Sequence, residues 1–342
     1  MPMDLAQAAW MVRDLGQPVS SVDLEDDSII AGGWNGLLKK WNGDGDLMWS
    51  VQCSDRIETI LRIEDRVIVT SGLHIHCIKS GEIEWTNPLE GSADMLAYHG
   101  NEIIATSSVY DIEHCDFMES AVWKFSLEGI MISVERMDER PWFIDASDKL
   151  VLGLGRPRCG LLVDGEHKEL GIESPVTCGT ASVDGIFLGH ADGTISSLSG
   201  EILDKTESSV DSIVPIDGGL IAALECGKLV SRSLKNGENW SVAGLQIATH
   251  TIGFDNLHWC SRWDSLSGLV EIRDNLGKLI VSAKMSRPRV SDSSGNRISI
   301  GFDDGQVIVW ERELFQRRLN SKSIGQSARN STLAAKLRSL RK

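Results

Sequence analysis

Short β-forming stretches recur in a fixed order along the chain, separated by turns. The most regular of them is a turn rich in Asp, Asn or Gly followed by four to six β-forming residues and often a small residue. It occurs as DDSIIAGG (26–33), EDRVIVTSG (64–72), GNEIIATSS (100–108), SDKLVLGLG (147–155), VDGIFLGHA (183–191), DGGLIAALE (217–225), FDNLHWCSR (254–262) and GNRISIGFD (295–303). These eight copies lie 34–47 residues apart. A shorter apolar stretch precedes each copy, as in VSSVDL (19–24), IETILRI (57–63), VTCGTAS (176–182) and VDSIVPI (210–216). A glycine turn and an alternating strand often follow, as in GLLKKW (36–41), GTISSL (193–198), GKLVSRSL (227–234) and GQVIVW (305–310). A fourth stretch often carries tryptophan: GDLMWSV (45–51), GEIEWTN (81–87) and GENWSV (237–242).

Four short strands per repeat of roughly 38 residues is the arithmetic of a β-propeller blade. The pattern therefore predicts an all-β chain forming a single eight-bladed β-propeller, with seven blades as the alternative count. The blades are expected at about 19–53, 54–91, 92–138, 139–173, 174–207, 208–243, 244–286 and 287–311. Residues 9–16, AWMVRDLG, have the character of an outer strand but precede the first repeat, and the last repeat stops at its third strand. The N-terminal strand is thus expected to complete the last blade, which removes an exposed sheet edge. A helical solenoid would need long runs of 3.6-residue period, and none occurs before residue 311. Residues 1–311 form the propeller in this reading, and 312–342 a basic tail with a linker and a short helix.

DDGQVIVWE (303–311) resembles the third strand of a WD40 repeat, and GDLMW, GEIEW and GENW resemble the Gly-x-x-Trp pattern of quinoprotein-like (PQQ-type) propellers. The chain is identified on these motifs as a member of the broad WD40/quinoprotein-like superfamily. Neither full signature is present: the regular Gly-His pairs of WD40 repeats are missing, and Gly189-His190 stands in a second strand. The resemblance implies that the tryptophans pack between blades, which accounts for 11 Trp against 2 Tyr. Quinoprotein enzymes bring calcium, PQQ, a catalytic Asp and often a vicinal disulfide. No Cys-Cys pair exists here, and Asp303-Asp304 sits in a turn that favours Asp anyway. No cofactor is expected.

Charge divides the chain. Residues 311–342 hold nine Lys/Arg and two Glu, a net of +7, so the other 310 residues carry −22 of the chain total of −15. A body that acidic repels phosphate backbones. Seven cysteines without a CxxC pair, and a Met1–Trp10 segment lacking a basic n-region, point to reduced thiols and a cytoplasmic protein. No stretch approaches the roughly 20 apolar residues of a membrane span.

Candidate chemistry is sparse. His74 and His76 share a strand face beside Cys77, and His114-Cys115 recur one blade later. That makes a zinc site conceivable, although the spacing fits no closed zinc motif and a structural role is the preferred reading. No Gly-x-Ser-x-Gly elbow or phosphate-binding GxxxxGK[ST] occurs. GLGRPRCG (153–160) places Arg156 and Arg158 as a basic spot on an acidic ring, or simply in a solvated loop. Blade three has a lengthened connection, VYDIEHCDFMES (109–120), whose Tyr110, Phe117 and Met118 suit a protein contact. The alternative there is a long hairpin packed on its own blade. A weaker insertion is SRWDSLSG (261–268).

In the tail, NSKSIGQSARN (320–330) reads as a linker and STLAAKLRSLRK (331–342) as an amphipathic helix capped by Ser331. Leu333, Leu337 and Leu340 share one face, with Lys336, Arg338, Arg341 and Lys342 mostly elsewhere. An acidic protein groove, an anionic membrane surface or nucleic acid would suit it, as would the chain's own acidic ring.

The function expected from the whole pattern is a non-catalytic protein-interaction scaffold. Tyr110, Phe117, Met118, Arg156, Arg158, Lys336, Leu337, Arg338, Leu340 and Arg341 are its candidate partner-binding residues. A nucleic-acid-associated factor using the tail is the first alternative, and a hydrolase or lyase sited in the channel of the propeller is the second.

Overall fold

A computed structural model describes residues 5–319. Its 32 strands form eight four-stranded antiparallel sheets. Seven sheets are consecutive in the chain, spanning 19–52, 57–88, 92–137, 141–168, 176–205, 210–242 and 246–285. The eighth combines Pro288–Ser294, Arg297–Phe302 and Gln306–Glu311 with the N-terminal strand Met11–Asp14, which pairs through Met11↔Val309 to Asp14↔Gln306. The first strand of each sheet contacts the first strand of the next around a ring, and Pro288–Ser294 contacts Val19–Leu24 to close it. The fold is an eight-bladed propeller closed by its N-terminal strand.

Each blade is built on the same local rule. The second strand is buried nearly throughout: Ser28–Gly33, Gly219–Leu224 and, after its first residue, Arg66–Ser71. That burial on both faces is why these stretches read as continuous apolar runs instead of alternating ones. All eight pairings of first and second strand shift register one or two residues in, for example between Val19 and Ser21 and between Val210 and Ser212. Such bulges bend the inner strand and turn its first residue towards the preceding blade.

That first residue fills a gap left by a glycine. A Cβ on Gly32 would lie 2.6 Å from Ile57, one on Gly153 2.6 Å from Val176, and one on Gly189 2.7 Å from Val210. Gly301 meets Val19 in the same way at the closing seam. The outer strands use a second device. Trp49, Trp85 and Trp240 lie over Gly81, Gly129 and Gly277 of the next blade, where an added Cβ would lie 2.5–2.6 Å from the indole side chain. All three glycines also have φ between +76° and +86°, so both backbone shape and space require glycine. Indole N–H groups fix the contact, Trp85 donating to Leu127 O at 3.0 Å and Trp240 to Asn275 O at 3.0 Å. Trp10 donates to Gly43 O at 3.1 Å across the closing seam. The inter-blade role expected of the tryptophans holds for this outer set.

The tail begins later than its charge suggests. Residues 312–319 form a helix. Glu311 caps it, accepting the backbone N–H groups of Glu313 and Leu314 at 3.1 Å each. Phe315 is fully buried, its ring 5.5 Å from those of Phe254 and Trp259. Arg312 pairs with Asp255 at 2.6 Å. These eight residues are therefore part of the folded body, and the basic charge of Arg312 is spent on it. The helix expected at 331–342 lies outside the described residues. No helix among the described residues is long and apolar enough to cross a membrane.

Replacing Gly32 or Gly189 by Val forces a side chain into an occupied seam. Each variant is expected to lose about 1–3 kcal/mol, the usual cost of overpacking a well-filled core, read as a lowered urea midpoint with an unchanged slope. A wild-type midpoint in both would contradict the seam geometry.

Candidate functional site

The inner strands all begin on one face of the ring, where the turns between second and third strands also emerge. On this face the blade-three hairpin rises above its neighbours, its strands Glu102–Asp111 and Asp116–Phe125 being ten residues each. Tyr110 and Phe117 face each other across it, edge to face with centroids 5.1 Å apart. The hairpin leans onto blade four: Phe117 meets Trp142 at 6.0 Å and 90°. Between the two rings lies Arg140, its guanidinium carbon 3.7 Å from the centroid of Phe117 and 4.1 Å from that of Trp142.

Arg140 donates to Asp94 Oδ1 at 2.9 Å, and Asp94 Oδ2 accepts from Ser108 Oγ at 2.6 Å. Arg56 pairs with Glu58 at 2.8 Å on the adjoining inner strand. Together Arg56, Glu58, Asp94, Phe117, Arg140 and Trp142 border a cavity of about 440 Å³ spanning blades two to four. Burial raises the carboxyls of Glu58 and Asp94 above the ordinary range and lowers the guanidinium of Arg140, with their mutual attraction opposing each shift. Charges so placed gain strength from a reduced dielectric but must stay paired.

The pattern continues around the same face. Trp34 lies between Arg56, 4.1 Å from its centroid, and Arg289, 4.9 Å away. Arg289 is paired with Asp303 at 2.6 Å. Arg287 stands 5.1 Å over Trp263. Three tryptophans thus serve as stacking platforms for arginine and not as inter-blade wedges. Trp142 remains 43% exposed and Tyr110 49%.

Of the residues anticipated for partner contact, Tyr110 and Phe117 join this cluster, while Met118 is exposed at 45%. Arg156 and Arg158 are exposed but lie on a separate loop, and Arg158 is clamped to Glu139 by bonds of 2.7 and 2.8 Å. That pairing holds the carboxyl of the buried Glu139 below its ordinary range. Lys336, Leu337, Arg338, Leu340 and Arg341 lie outside the described residues. Arg140, Trp142 and Asp94 were not singled out from sequence. The signal available was a Trp at the start of an inner strand, where the outer-strand tryptophan pattern does not apply.

His74, His76, His114 and His190 are each held by neighbouring side chains or carbonyls. His74 and His76 stack at 5.9 Å, and Ser54 Oγ reaches both rings, at 3.3 and 3.0 Å. His76 also meets Thr86 Oγ1 at 2.8 Å. His114 is exposed and bound to Asp111 at 2.9 Å. Among the described residues no three metal-binding side chains cluster. His190 bridges Ser174 O and Ser196 Oγ at 3.2 and 2.9 Å.

Burial lowers His76 and His250 to about 4, and lowers His190 and His258 as well. The unfolded chain takes these protons near pH 6.5, so it binds more protons than the folded one between about 6.5 and 4. Stability is then complete above 6.5 and falls as the pH drops through that window. The raised carboxyls of Glu58, Asp94, Asp211 and Asp292 act in the opposite sense at its lower end. Denaturant midpoints should decline steadily from pH 7 to 5, and a flat profile would refute the neutral-histidine assignment.

No family model matches the chain, and no curated protein matches it in sequence. Solved structures do. BamB from Moraxella catarrhalis superposes with a TM-score of 0.72 at 15% identity, over 89% of this chain and 97% of that one. Sqt1 of Saccharomyces cerevisiae gives 0.70 at 11% identity, over 89% and 98%. The C-terminal WD40 domain of Sif2 gives 0.67 at 13%, over 88% and 98%. At such identities the likeness is one of fold: the chain is an eight-bladed β-propeller, similar in architecture to BamB and to the WD40 domain of Sif2.

Proposed function

We propose that the protein is a protein-interaction scaffold that docks a partner on the face where its inner strands begin. The observation that carries this reading is the Phe117–Arg140–Trp142 stack, partly exposed and bordering a cavity on blades two to four. Arginine, tryptophan and tyrosine dominate the energetics of protein interfaces: the two aromatics bury much area with few rotatable bonds, and arginine adds a planar stacking surface with several donors. The hairpin adds an apolar edge, with Val109, Tyr110 and Ile112 at 37%, 49% and 82% exposure. A non-catalytic role is favoured because Glu58 and Asp94 are engaged by Arg56 and Arg140, and no histidine lines the cavity among the described residues. A cytoplasmic location is supported by seven free cysteines.

Proteins captured from lysate by the wild type should be lost by a Phe117→Ala, Trp142→Ala double variant. The same proteins should be retained by Leu276→Ser, a change at an exposed apolar residue on a blade-seven turn. A purified partner should bind the double variant at least tenfold more weakly. Equal capture by all three proteins would overturn the assignment of this face.

Residues 320–342, with six Lys/Arg and no Asp or Glu, give a second reading some support, as an attachment point to nucleic acid. Removing residues 320–342 should then abolish salt-sensitive gel shifts of a generic RNA or DNA. Unchanged shifts would exclude the tail.

A further inference from the structure

A second cavity, of about 420 Å³, opens on the opposite face where blades five, six and seven meet. This size lies within the range of small-molecule sites. Its wall is largely apolar, with Val183, Pro215, Ile216, Ile221 and Ile252. Two buried polar side chains interrupt that wall: Ser231 from the third strand of blade six and His258 from the second strand of blade seven, each 1% exposed. Ser231 Oγ and His258 Nδ1 have no hydrogen-bond partner among the described residues. Buried polar atoms are rarely left so, and each normally has a protein, solvent or ligand partner.

His258 ends a chain that starts in blade six. Ser212 Oγ meets His250 Nε2 at 2.7 Å, and His250 Nδ1 meets His258 Nε2 at 3.1 Å. With both rings neutral, the chain has two consistent proton arrangements. In one, Ser212 donates to His250, His250 donates to His258, and His258 Nδ1 carries a hydrogen. In the other every bond reverses, and His258 Nδ1 is an acceptor. The end of the chain can therefore match either a donor or an acceptor, as can a serine hydroxyl.

Charge narrows the choice. Asp217 and Asp274 are the acidic residues around the cavity, and no lysine or arginine lines it among the described residues. Asp274 is partly committed, accepting the backbone N–H groups of Leu276 and Lys278, whereas Asp217 is exposed. An anion would meet two carboxylates without a cation in the wall, since Arg262 and Arg273 behind His258 are engaged by Glu271.

We infer that this cavity is a binding site for a small organic molecule with an apolar body and an uncharged or cationic hydrogen-bonding head, such as an alcohol or amine, and that it excludes carboxylates of the same shape. The apolar body lies on the isoleucines, and the head completes the bonding of Ser231 and His258. This site is separate from the docking face, so either assignment can fail without the other.

Benzylamine, benzyl alcohol and benzoate share one apolar ring and differ in the head group, so they test the inference directly. Titration of the full chain, followed by the ¹⁵N signals of His250 and His258, should show saturable shifts with the amine and the alcohol. Benzoate should bind at least tenfold more weakly. Val183→Arg, at a fully exposed position on the rim, should keep the fold and weaken the amine at least tenfold. Ser231→Ala should weaken both ligands. No binding by any probe would mean that the cavity holds only water, and would overturn the inference. So would benzoate binding as well as the amine, or binding unaffected by both substitutions.

Discussion

The whole molecule depends on the seam between one blade and the next. A single four-stranded sheet has no second layer, so each blade buries its faces only against its neighbours. Hydroxyls on the inner strands lace these seams: Ser20 donates to Ile57 O at 2.6 Å, Thr59 to Asp94 O at 2.9 Å, and Thr177 to Val210 O at 2.5 Å. Seven seams form between segments adjacent in sequence. The eighth must join residues about 270 apart, and blade eight itself is completed from both ends of the chain. Asp292 accepts the Leu24 N–H at 2.7 Å, Trp310 donates to Leu5 O at 2.8 Å, and Met11–Asp14 pairs along the last strand. The helix 312–319 adds Phe315 to the neighbouring seam between blades seven and eight, beside Trp259 and Trp310. Both ends of the folded body are thus spent on closure.

This repetition is why the fold could be read from sequence. A second strand buried on both sides must be apolar throughout, so SIIAGG, VIVTS and LIAAL declare themselves by composition. The outer tryptophans were legible because GDLMW, GEIEW and GENW repeat a glycine turn shortly before the Trp. The aromatic and arginine cluster proposed for docking was only half legible. Tyr110 and Phe117 stand on a hairpin whose extra length breaks the repeat, and that irregularity is visible. Arg140 is 46 residues from Asp94, and their pairing follows from blades three and four being neighbours, not from any spacing motif. Arg158 looked like free positive charge, but the carboxylate that neutralises it, Glu139, is 19 residues away. Residues 312–319 looked like tail because charge dominates them, and one aromatic, Phe315, decides their position instead.

Polar groups buried in the seams show how the ring tolerates chemistry inside its core. His76, His190 and His250 are each held by hydroxyls or backbone carbonyls, and burial keeps their imidazoles neutral. The charged counterpart is the Arg262–Glu271–Arg273 group of blade seven, linked at 2.9 and 3.2 Å and almost fully enclosed. Arg262 also donates to Gly227 O and Leu245 O at 2.6 Å each, so one side chain ties blade six to blade seven. Burying such a cluster is justified less by net stability than by the register it imposes. It stands behind His258, where its arginines reinforce the neutral state of that ring.

The two faces therefore differ in what they can recognise. On the face proposed for docking each of Arg56, Arg140 and Arg289 already holds a carboxylate, so the face presents stacked planes and not a positive field. A partner must gain affinity there by covering Trp142, Phe117 and Tyr110, or by displacing an aspartate from an arginine that is otherwise satisfied. The first route buries apolar area and is insensitive to salt, while the second exchanges one ion pair for another at little net gain. Long-range attraction can come only from charge that is not internally paired, and on a body of −22 that attraction favours cationic partners. Aromatic contact on the docking face and electrostatic approach are thus separable. A basic segment with apolar side chains would meet both conditions on this face, whereas an acidic one would be repelled before reaching the tryptophans.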